Sequence, residues 1–134
     1  MRGRGKNTIY RWLLAGILAL VMTAVQADQV QGRVVGVADG DTVTVLDDRK
    51  VQHKVRLAGI DAPEKGMRYE QRSKQYLSDL VKGETVILEG DKIDRYGRTV
   101  AKVLLNGRDV NLAQIAAGMA WQDRKSTRLN SSHL

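Results

Sequence analysis

Three short segments of the sequence place carboxylates and arginines at spacings that suit chemistry on a phosphodiester. The segments are DGDTVTV at residues 39–45, RLAGIDAPE at residues 56–64 and DRYGRTVAKV at residues 94–103. Asp41 and Asp61 supply hard oxygen ligands, and two carboxylates with a backbone carbonyl and waters suit Ca²⁺. Arg56 and Arg98 carry planar guanidinium groups that bind phosphate oxygens in pairs. Glu64 is left as a third carboxylate that can act as a base.

A cation, a base and two arginines are the groups needed to attack a phosphodiester. Negative charge builds on the phosphorus oxygens during the reaction, and fixed positive charge stabilises it. No constellation based on Cys or His competes, because the chain has no Cys and only two His. His53 lies on an apolar strand face, which indicates packing. Taken alone, DAPE is also typical of a strand-ending turn with solvated carboxylates, and Arg98 of a charge at a strand edge.

The elements that must position these residues are predicted from hydrophobic periodicity. Runs rich in Val and Thr with period-2 alternation indicate strands. Such runs occupy residues 34–37, 42–45, 51–57, 85–89 and 99–105. Between the first two strands, ADGDT is typical of a hairpin turn in which Gly40 makes the bend and Asp39 caps it. Asp47 and Asp48 are expected in an ordinary solvated turn.

Two helices complete the predicted order of elements. Helical spacing predicts the first, with Gly83 placed to end it. Its inner face comprises Ser73, Tyr76, Leu77, Leu80 and Val81. Asn111 is predicted to be the N-cap of a short second helix through Ala117, with Gln114 at the capping-box position. Three strands, a helix, two strands and a helix favour a mainly β, α+β fold: a five-stranded OB-fold Greek-key barrel, with an open α+β sheet as the alternative.

In this order and at this spacing, the three segments resemble the paired signatures of the staphylococcal nuclease (thermonuclease) family and its SNase-like domain. The resemblance covers residues 29–121 and implies an OB barrel with packed helices, in agreement with the predicted strand order. It also implies Ca²⁺-dependent hydrolysis of DNA and RNA by attack of water and departure of the 5′ oxygen, leaving 3′-phosphate ends.

The resemblance assigns a role to each charged residue of the three segments. Asp41 and Asp61 would bind Ca²⁺ together with the backbone carbonyl of Ala62. Glu64 would activate or position the attacking water, a task that Ca²⁺-bound water could share.

The remaining matched positions would bind substrate. Arg56 and Arg98 would bind phosphate and stabilise the transition state, and Tyr96 would contact a phosphate or a base. The implied enzyme is a monomeric calcium-dependent (endo)nuclease acting on single-stranded or locally open DNA and RNA.

Two other classes of function are weighed against a nuclease. One is a catalytically weak or silent nuclease-like module that binds nucleic acid or protein; the presence of all five charged residues argues against it. The other is an OB module that reads single strands by base stacking, which an aromatic content of 4% without Phe disfavours. The net charge of the chain gives little support for nucleic-acid binding. The formal charge of +7 comes from the two ends of the chain, because residues 28–123 carry 15 basic and 15 acidic side chains.

The first 27 residues have a sequence pattern unlike that of the predicted domain. Residues 1–27 have a basic start, an 11-residue apolar run from Trp12 to Met22 and a small residue, Ala27. This pattern is typical of a cleaved export signal, with an uncleaved membrane anchor as the alternative. The protein is therefore expected in the periplasm or outside the cell, without stable membrane association after cleavage.

After Trp121 the chain cannot form the third helix that the resemblance implies. Residues 124–134 contain only two strongly apolar side chains, Leu129 and Leu134, which cannot make an amphipathic face. We therefore expect a C-terminally truncated nuclease domain at residues 28–123 followed by a foreign tail, with a genuine short basic tail as the alternative.

Overall fold

The computed structural model describes residues 29–124; the predicted signal and residues 125–134 lie outside the described residues. The strands are β1 (Val30–Asp39), β2 (Thr42–Asp47), β3 (Gln52–Leu57), β4 (Ile60–Asp61), β5 (Thr85–Ile93), β6 (Thr99–Leu105), β7 (Arg108–Asp109) and β8 (Trp121–Gln122). The helices in this range are α1 (Glu70–Val81) and α2 (Val110–Ala116).

The five long strands close into a barrel. β1 pairs antiparallel with β2 and β5, β2 also pairs with β3, and β5 pairs with β6. Closure comes from a parallel pairing of β3 with β6, which sets Val55 beside Thr99 and Leu57 beside Ala101. Together with α1 between the third and fourth long strands, this is the topology of an OB-fold barrel. The predicted barrel is confirmed, and the alternative of an open sheet is wrong.

One apolar core joins the barrel to both helices. The buried cluster comprises Val34, Val43, Val45, Val55, Leu57, Ile60, Ala62, Leu77, Val81, Val86, Leu88, Ala101, Val103, Val110 and Ala120. Most members are β-branched, which suits the half-buried face of a strand. Burying each Val or Leu side chain stabilises the fold by about 1.5–3 kcal/mol. Because Ile60 and Ala62 belong to the same cluster, the core also fixes the loop that carries Asp61.

Helix α1 confirms the predicted periodicity. Ser73, Leu77 and Val81 are its buried residues, and Gly83 beyond its end has a φ of 83°, the left-handed conformation that ends many helices. The N-cap is Tyr69, which has a φ of 65° and makes no side-chain cap. Within residues 29–124, no helix combines the length and the apolar character needed to cross a membrane.

The predicted start of the second helix is wrong. Asp109 is the N-cap of α2, and its carboxylate accepts a hydrogen bond from the backbone N–H of Leu112 at 3.0 Å. Asn111 is buried and bonds the barrel instead, accepting from the backbone N–H of Val103 at 3.1 Å and donating to barrel carbonyls. An Asn amide satisfies both kinds of backbone group, so tertiary hydrogen bonding outweighs its capping preference. Gln114 is consequently not at a capping-box position.

The turn after β2 is more ordered than a solvated turn. The Asp47 carboxylate accepts hydrogen bonds from the backbone N–H groups of Arg49 and Val51, and it contacts His53 Nε2 at 2.8 Å. The bond to His53, followed by that from Val51, holds the pKa of Asp47 below its usual range. The prediction that Asp47 is merely solvated is therefore wrong, whereas Asp48 is exposed as expected. His53 lies on the strand face of the buried Val55 and Leu57 as predicted, and its ring also pairs with Asp47.

Candidate active site

The turn between β1 and β2 fixes Asp41. The carboxylate of Asp39 accepts a hydrogen bond from the backbone N–H of Asp41 at 3.1 Å, the capping contact expected of it. Asp41 is only 8% exposed. Its Oδ1 accepts from the hydroxyl of Thr42 at 3.1 Å, and its Oδ2 accepts from the backbone N–H of Ala62 at 2.9 Å. One carboxylate therefore ties the DGD turn to the DAPE segment.

Gly40 is required in this turn for space. It is not among the residues with a positive φ in the described part of the chain, so its conformation is open to other residues. An added Cβ would lie 2.9 Å from the Cβ of Ala62 and far inside van der Waals contact with Ser73 Oγ. Helix α1 thus packs directly onto the turn that carries Asp41.

Arg56 bridges the two aspartates. Its guanidinium donates to Asp61 Oδ1 at 2.6 Å and lies 3.3 Å from Asp41 Oδ2. It also donates to the carbonyls of Leu57 at 2.9 Å and Ile60 at 2.7 Å. These contacts hold the β3 strand end and the following loop in one arrangement, with the arginine in their middle.

The environment of Asp41 disfavours its charge. Burial raises the pKa of Asp41 to about 6, helped by the side-chain bond with Asp39 and opposed by the Arg56 guanidinium. The positive charge nearby therefore compensates only part of the cost of desolvating the carboxylate.

Arg98 is held by Asp94, which the sequence argument did not single out. The Asp94 carboxylate accepts from Arg98 Nε at 2.7 Å and from the backbone N–H groups of Arg98 and Tyr96, each at 2.9 Å. Although burial acts to raise it, these hydrogen bonds hold the pKa of Asp94 below its usual range. An Asp followed by a Gly-containing turn is a known turn signal, and it could have pointed to this residue.

Tyr96 lies beside the site without lining its central cleft. Its side chain is 67% exposed. The guanidinium carbons of Arg95 and Arg98 lie 4.9 and 5.2 Å from the centre of its ring, within the range of cation–π contacts. The ring therefore supports Arg98 from the solvent side.

One cleft of about 380 Å³ collects the other predicted residues. It is lined by Asp39, Asp41, Arg56, Asp61, Ala62, Pro63, Glu64, Met67, Arg98 and Trp121. Glu64 is exposed, whereas Asp41 and Arg56 are largely enclosed, so a water or substrate oxygen has access to the Glu64 carboxylate. Carboxylates and two guanidinium groups in one polar cleft can bind a cation and an anionic substrate side by side.

Trp121 lines the cleft and was not predicted from the sequence. It is 49% exposed and pairs with Asp61 where β8 meets β4. This short antiparallel pairing fixes the backbone of Asp61. A larger neighbouring cavity of about 890 Å³ shares Asp61, Glu64 and Trp121 with the cleft, so the cleft opens into a wider groove.

The carboxylates of Asp41 and Asp61 fit a hard cation whose remaining ligands are other oxygen atoms. Within residues 29–124, no group of three or more His, Cys, Asp or Glu side chains is close enough to hold a metal ion. Asp41 and Asp61 are instead brought together by a shared arginine. Two carboxylates with backbone carbonyl, water and phosphate oxygens are a donor set that Ca²⁺ accepts, because it takes six to eight oxygens in flexible geometry.

Comparison with known proteins gives one family. The sequence model described as Staphylococcal nuclease homologue matches residues 54–133. The chain is 43% identical over 116 residues to a protein of Haemophilus influenzae named an uncharacterized endonuclease, covering 84% of this chain and 65% of that protein. It is 41% identical over 106 residues to an Escherichia coli protein of the same name, covering 78% of this chain and 69% of that protein.

A further relative carries a more specific name. The chain is 37% identical over 123 residues to a protein of Shigella flexneri named micrococcal nuclease, covering 85% of this chain and 70% of that protein. The matched part thus spans about two thirds of the length of these relatives.

Proposed function

The chain belongs to the staphylococcal nuclease family, and from this premise we propose that it is an exported, calcium-dependent nuclease. The reaction is hydrolysis of phosphodiester bonds in DNA and RNA to give 3′-phosphate ends. The observation that carries the proposal is the single cleft that contains Asp41, Arg56, Asp61, Glu64 and Arg98.

Asp41 and Asp61 would hold the cation, with the backbone carbonyl of Ala62 as a further oxygen ligand. Bound Ca²⁺ would supply Lewis-acid stabilisation of the phosphate charge. The hydrogen bond from the Ala62 N–H to Asp41 supports this assignment, because it holds the Asp41 carboxylate against the backbone of the same residue.

The two arginines would interact with the substrate phosphate in different ways. The Asp94 contact uses Nε of Arg98, and the hydrogen bonds found among residues 29–124 leave its terminal nitrogens to a substrate phosphate. Arg56 would act mainly through its charge, since its guanidinium already donates to Asp61 and to two carbonyls. Positive charge fixed before the reaction stabilises the transition state without reorganisation.

Glu64 would activate or position the attacking water. Its exposed carboxylate lines both the cleft and the wider neighbouring groove, which is where water and a strand of nucleic acid have access. Because the proposed contacts are to phosphate, we expect little preference for base sequence. The favoured substrates are proposed to be single-stranded or locally open DNA and RNA. The active species is proposed to be a monomer.

Calcium removal and an Arg98 variant test the nuclease proposal. Purified protein is expected to cleave denatured DNA in Ca²⁺ and to stop when chelator is added. Arg98→Ala should lower kcat by about 10²–10³-fold, because it removes a fixed charge that the transition state needs. Arg33→Ala, an exposed arginine of β1, is the matched control and should keep full activity.

Four outcomes would contradict parts of the proposal. Cleavage that persists in chelator would reject the calcium requirement, and full activity of Arg98→Ala would reject its assigned role. Binding of denatured DNA without cleavage would instead support the silent binding module. Products that terminal transferase extends without prior phosphatase treatment would reject 3′-phosphate ends.

Export is tested separately on the N-terminus of the exported protein. Cleavage after Ala27 predicts that mass spectrometry of periplasmic or secreted protein finds Asp28 as the first residue. An intact Met1 on membrane-bound protein would instead support the uncleaved anchor. The protein retained in the cytoplasm serves as the reference for the unprocessed mass.

A further inference from the structure

Gln114 of α2 lies where both helices meet the turn that carries Asp41. Its side chain is fully buried, with 0% exposure. Its Nε2 donates to the carbonyl of Gly40 at 2.7 Å and to the carbonyl of Ser73, in α1, at 3.3 Å. The amide orientation follows from these partners, because the opposite orientation would face an oxygen against two carbonyl oxygens.

The hydrogen bond to Gly40 fixes the peptide that precedes Asp41. The carbonyl of this peptide accepts from Gln114, and its N–H donates to the carboxylate of Asp39 at 3.1 Å. The plane of the peptide is therefore held from both sides. Since this plane sets the direction in which the next Cα–Cβ bond leaves the backbone, it sets the position of the Asp41 carboxylate.

Further hydrogen bonds fix the position of Gln114 itself. Its backbone carbonyl accepts from the N–H of Met119 at 2.9 Å, and the carbonyl of Met119 accepts from Ser73 Oγ at 2.6 Å. The amide is thus anchored to α1 and to the segment after α2 before it reaches the turn.

Packing alone gives no reason for an amide at this position. Gln114 Oε1 is a buried acceptor with no hydrogen-bond partner among the described residues, and such an atom destabilises a fold. Its neighbours Val110 and Ala113 are buried and apolar. Residues that destabilise the fold locally are expected at functional sites, where the function requires them.

We propose that Gln114 is a positioning residue of the active site, which acts on Asp41 through the Gly40 carbonyl. The proposal rests on the proposed nuclease function for its catalytic consequence, but the positioning itself is a property of the protein without metal or substrate. Gln114→Met tests it, because methionine keeps the length of the side chain and removes both the donor and the unpaired acceptor.

Hydrogen exchange in the metal-free protein gives the first readout. The Ala62 amide, which donates to Asp41 Oδ2, should exchange at least about 10-fold faster in Gln114→Met, while amides between β5 and β6 keep their protection. Ile115→Val, which removes one methyl group from the same helix, should leave the Ala62 amide unchanged. Exchange of Ala62 within twofold of the original protein would overturn the proposal, whether or not the protein is a nuclease.

Kinetics give the second readout. Supporting groups of this kind typically affect metal affinity or activity by about 10–100-fold. Gln114→Met should lower kcat, or raise the Ca²⁺ concentration for half-maximal cleavage, within that range, with KM for DNA little changed. Activity equal to that of Ile115→Val would overturn the catalytic consequence. Lack of cleavage by the original protein would instead refute the nuclease function and leave the exchange result to decide the positioning.

Discussion

Replacing Arg56 by alanine is expected to abolish cleavage and to destabilise the barrel at the same time. Arg56 and Asp41 are both largely buried, with side-chain exposures of 17% and 12%. Removing one partner of a buried ion pair leaves an uncompensated charge and typically costs about 3–5 kcal/mol. The carbonyls of Leu57 and Ile60 lose their donor as well. Asp61 adds less, because at 40% exposure water screens its charge.

Arg56→Lys separates the charge from the geometry of Arg56. A lysine keeps the positive charge, but a single ammonium cannot reproduce the planar fork that reaches both aspartates and two carbonyls. We therefore expect part of the lost stability to return while cleavage stays about 10²-fold or more below the original rate. Arg33→Ala again serves as the matched surface control.

Urea unfolding and cleavage of denatured DNA measure the two effects. Cleavage is compared at a temperature where circular dichroism shows every variant folded, so that lost activity is not lost structure. An Arg56→Ala variant with unchanged free energy of unfolding would contradict the role of the bridge. One that cleaves at the original rate would contradict the proposed role in catalysis.

Elements with a complete local pattern were predictable from the sequence. β6 has the predicted bounds, Thr99–Leu105, and buried and exposed residues alternate in its middle. β5 was predicted at residues 85–89 but continues to Ile93. Gly90 and Asp91 break the local pattern there, and pairing with β6 continues the strand across a register shift between Glu89 and Lys92. Pairing with a distant strand, which leaves no periodic signal in the sequence, therefore determines where β5 ends.

The same distinction applies to the site. The types and spacing of the charged residues predicted which of them share a cleft, because each lies near a strand end or in a connecting loop of one barrel. Two of their supporting partners were not predictable. Gln114 and Trp121 act through hydrogen bonds or strand pairing with distant segments, whereas Asp94 bonds residues of its own turn. Such contacts depend on the three-dimensional packing, so only Asp94, in its Asp–Gly turn, left a signal in the sequence.

Gly40→Ala is expected to disrupt fold and site together, through space and not through conformation. The new Cβ would meet Ser73 of α1 and the Cβ of Ala62. Overpacking typically costs about 1–3 kcal/mol and occasionally more; here the clash lies between two fixed elements, so we expect about 3 kcal/mol. The displaced turn carries Asp41, so cleavage should fall even where the variant is folded. Gly36→Ala is the matched control, because its Cβ would lie 3.8 Å from the nearest atom.

A second substitution tests whether the clash with Ser73 is the cause. Ser73→Gly removes both the hydroxyl and the Cβ that the new methyl group meets. It costs about 1 kcal/mol for glycine within a helix, and about 1–3 kcal/mol more because the Met119 carbonyl loses its buried donor. If the clash dominates, the double variant should be more stable than the sum of the two single changes predicts, by about 1–2 kcal/mol. Strict additivity in urea unfolding would assign the effect of Gly40→Ala to Ala62 or to the turn itself. A coupling of the expected size would show that α1, through one side chain, sets how closely the turn with Asp41 packs into the cleft.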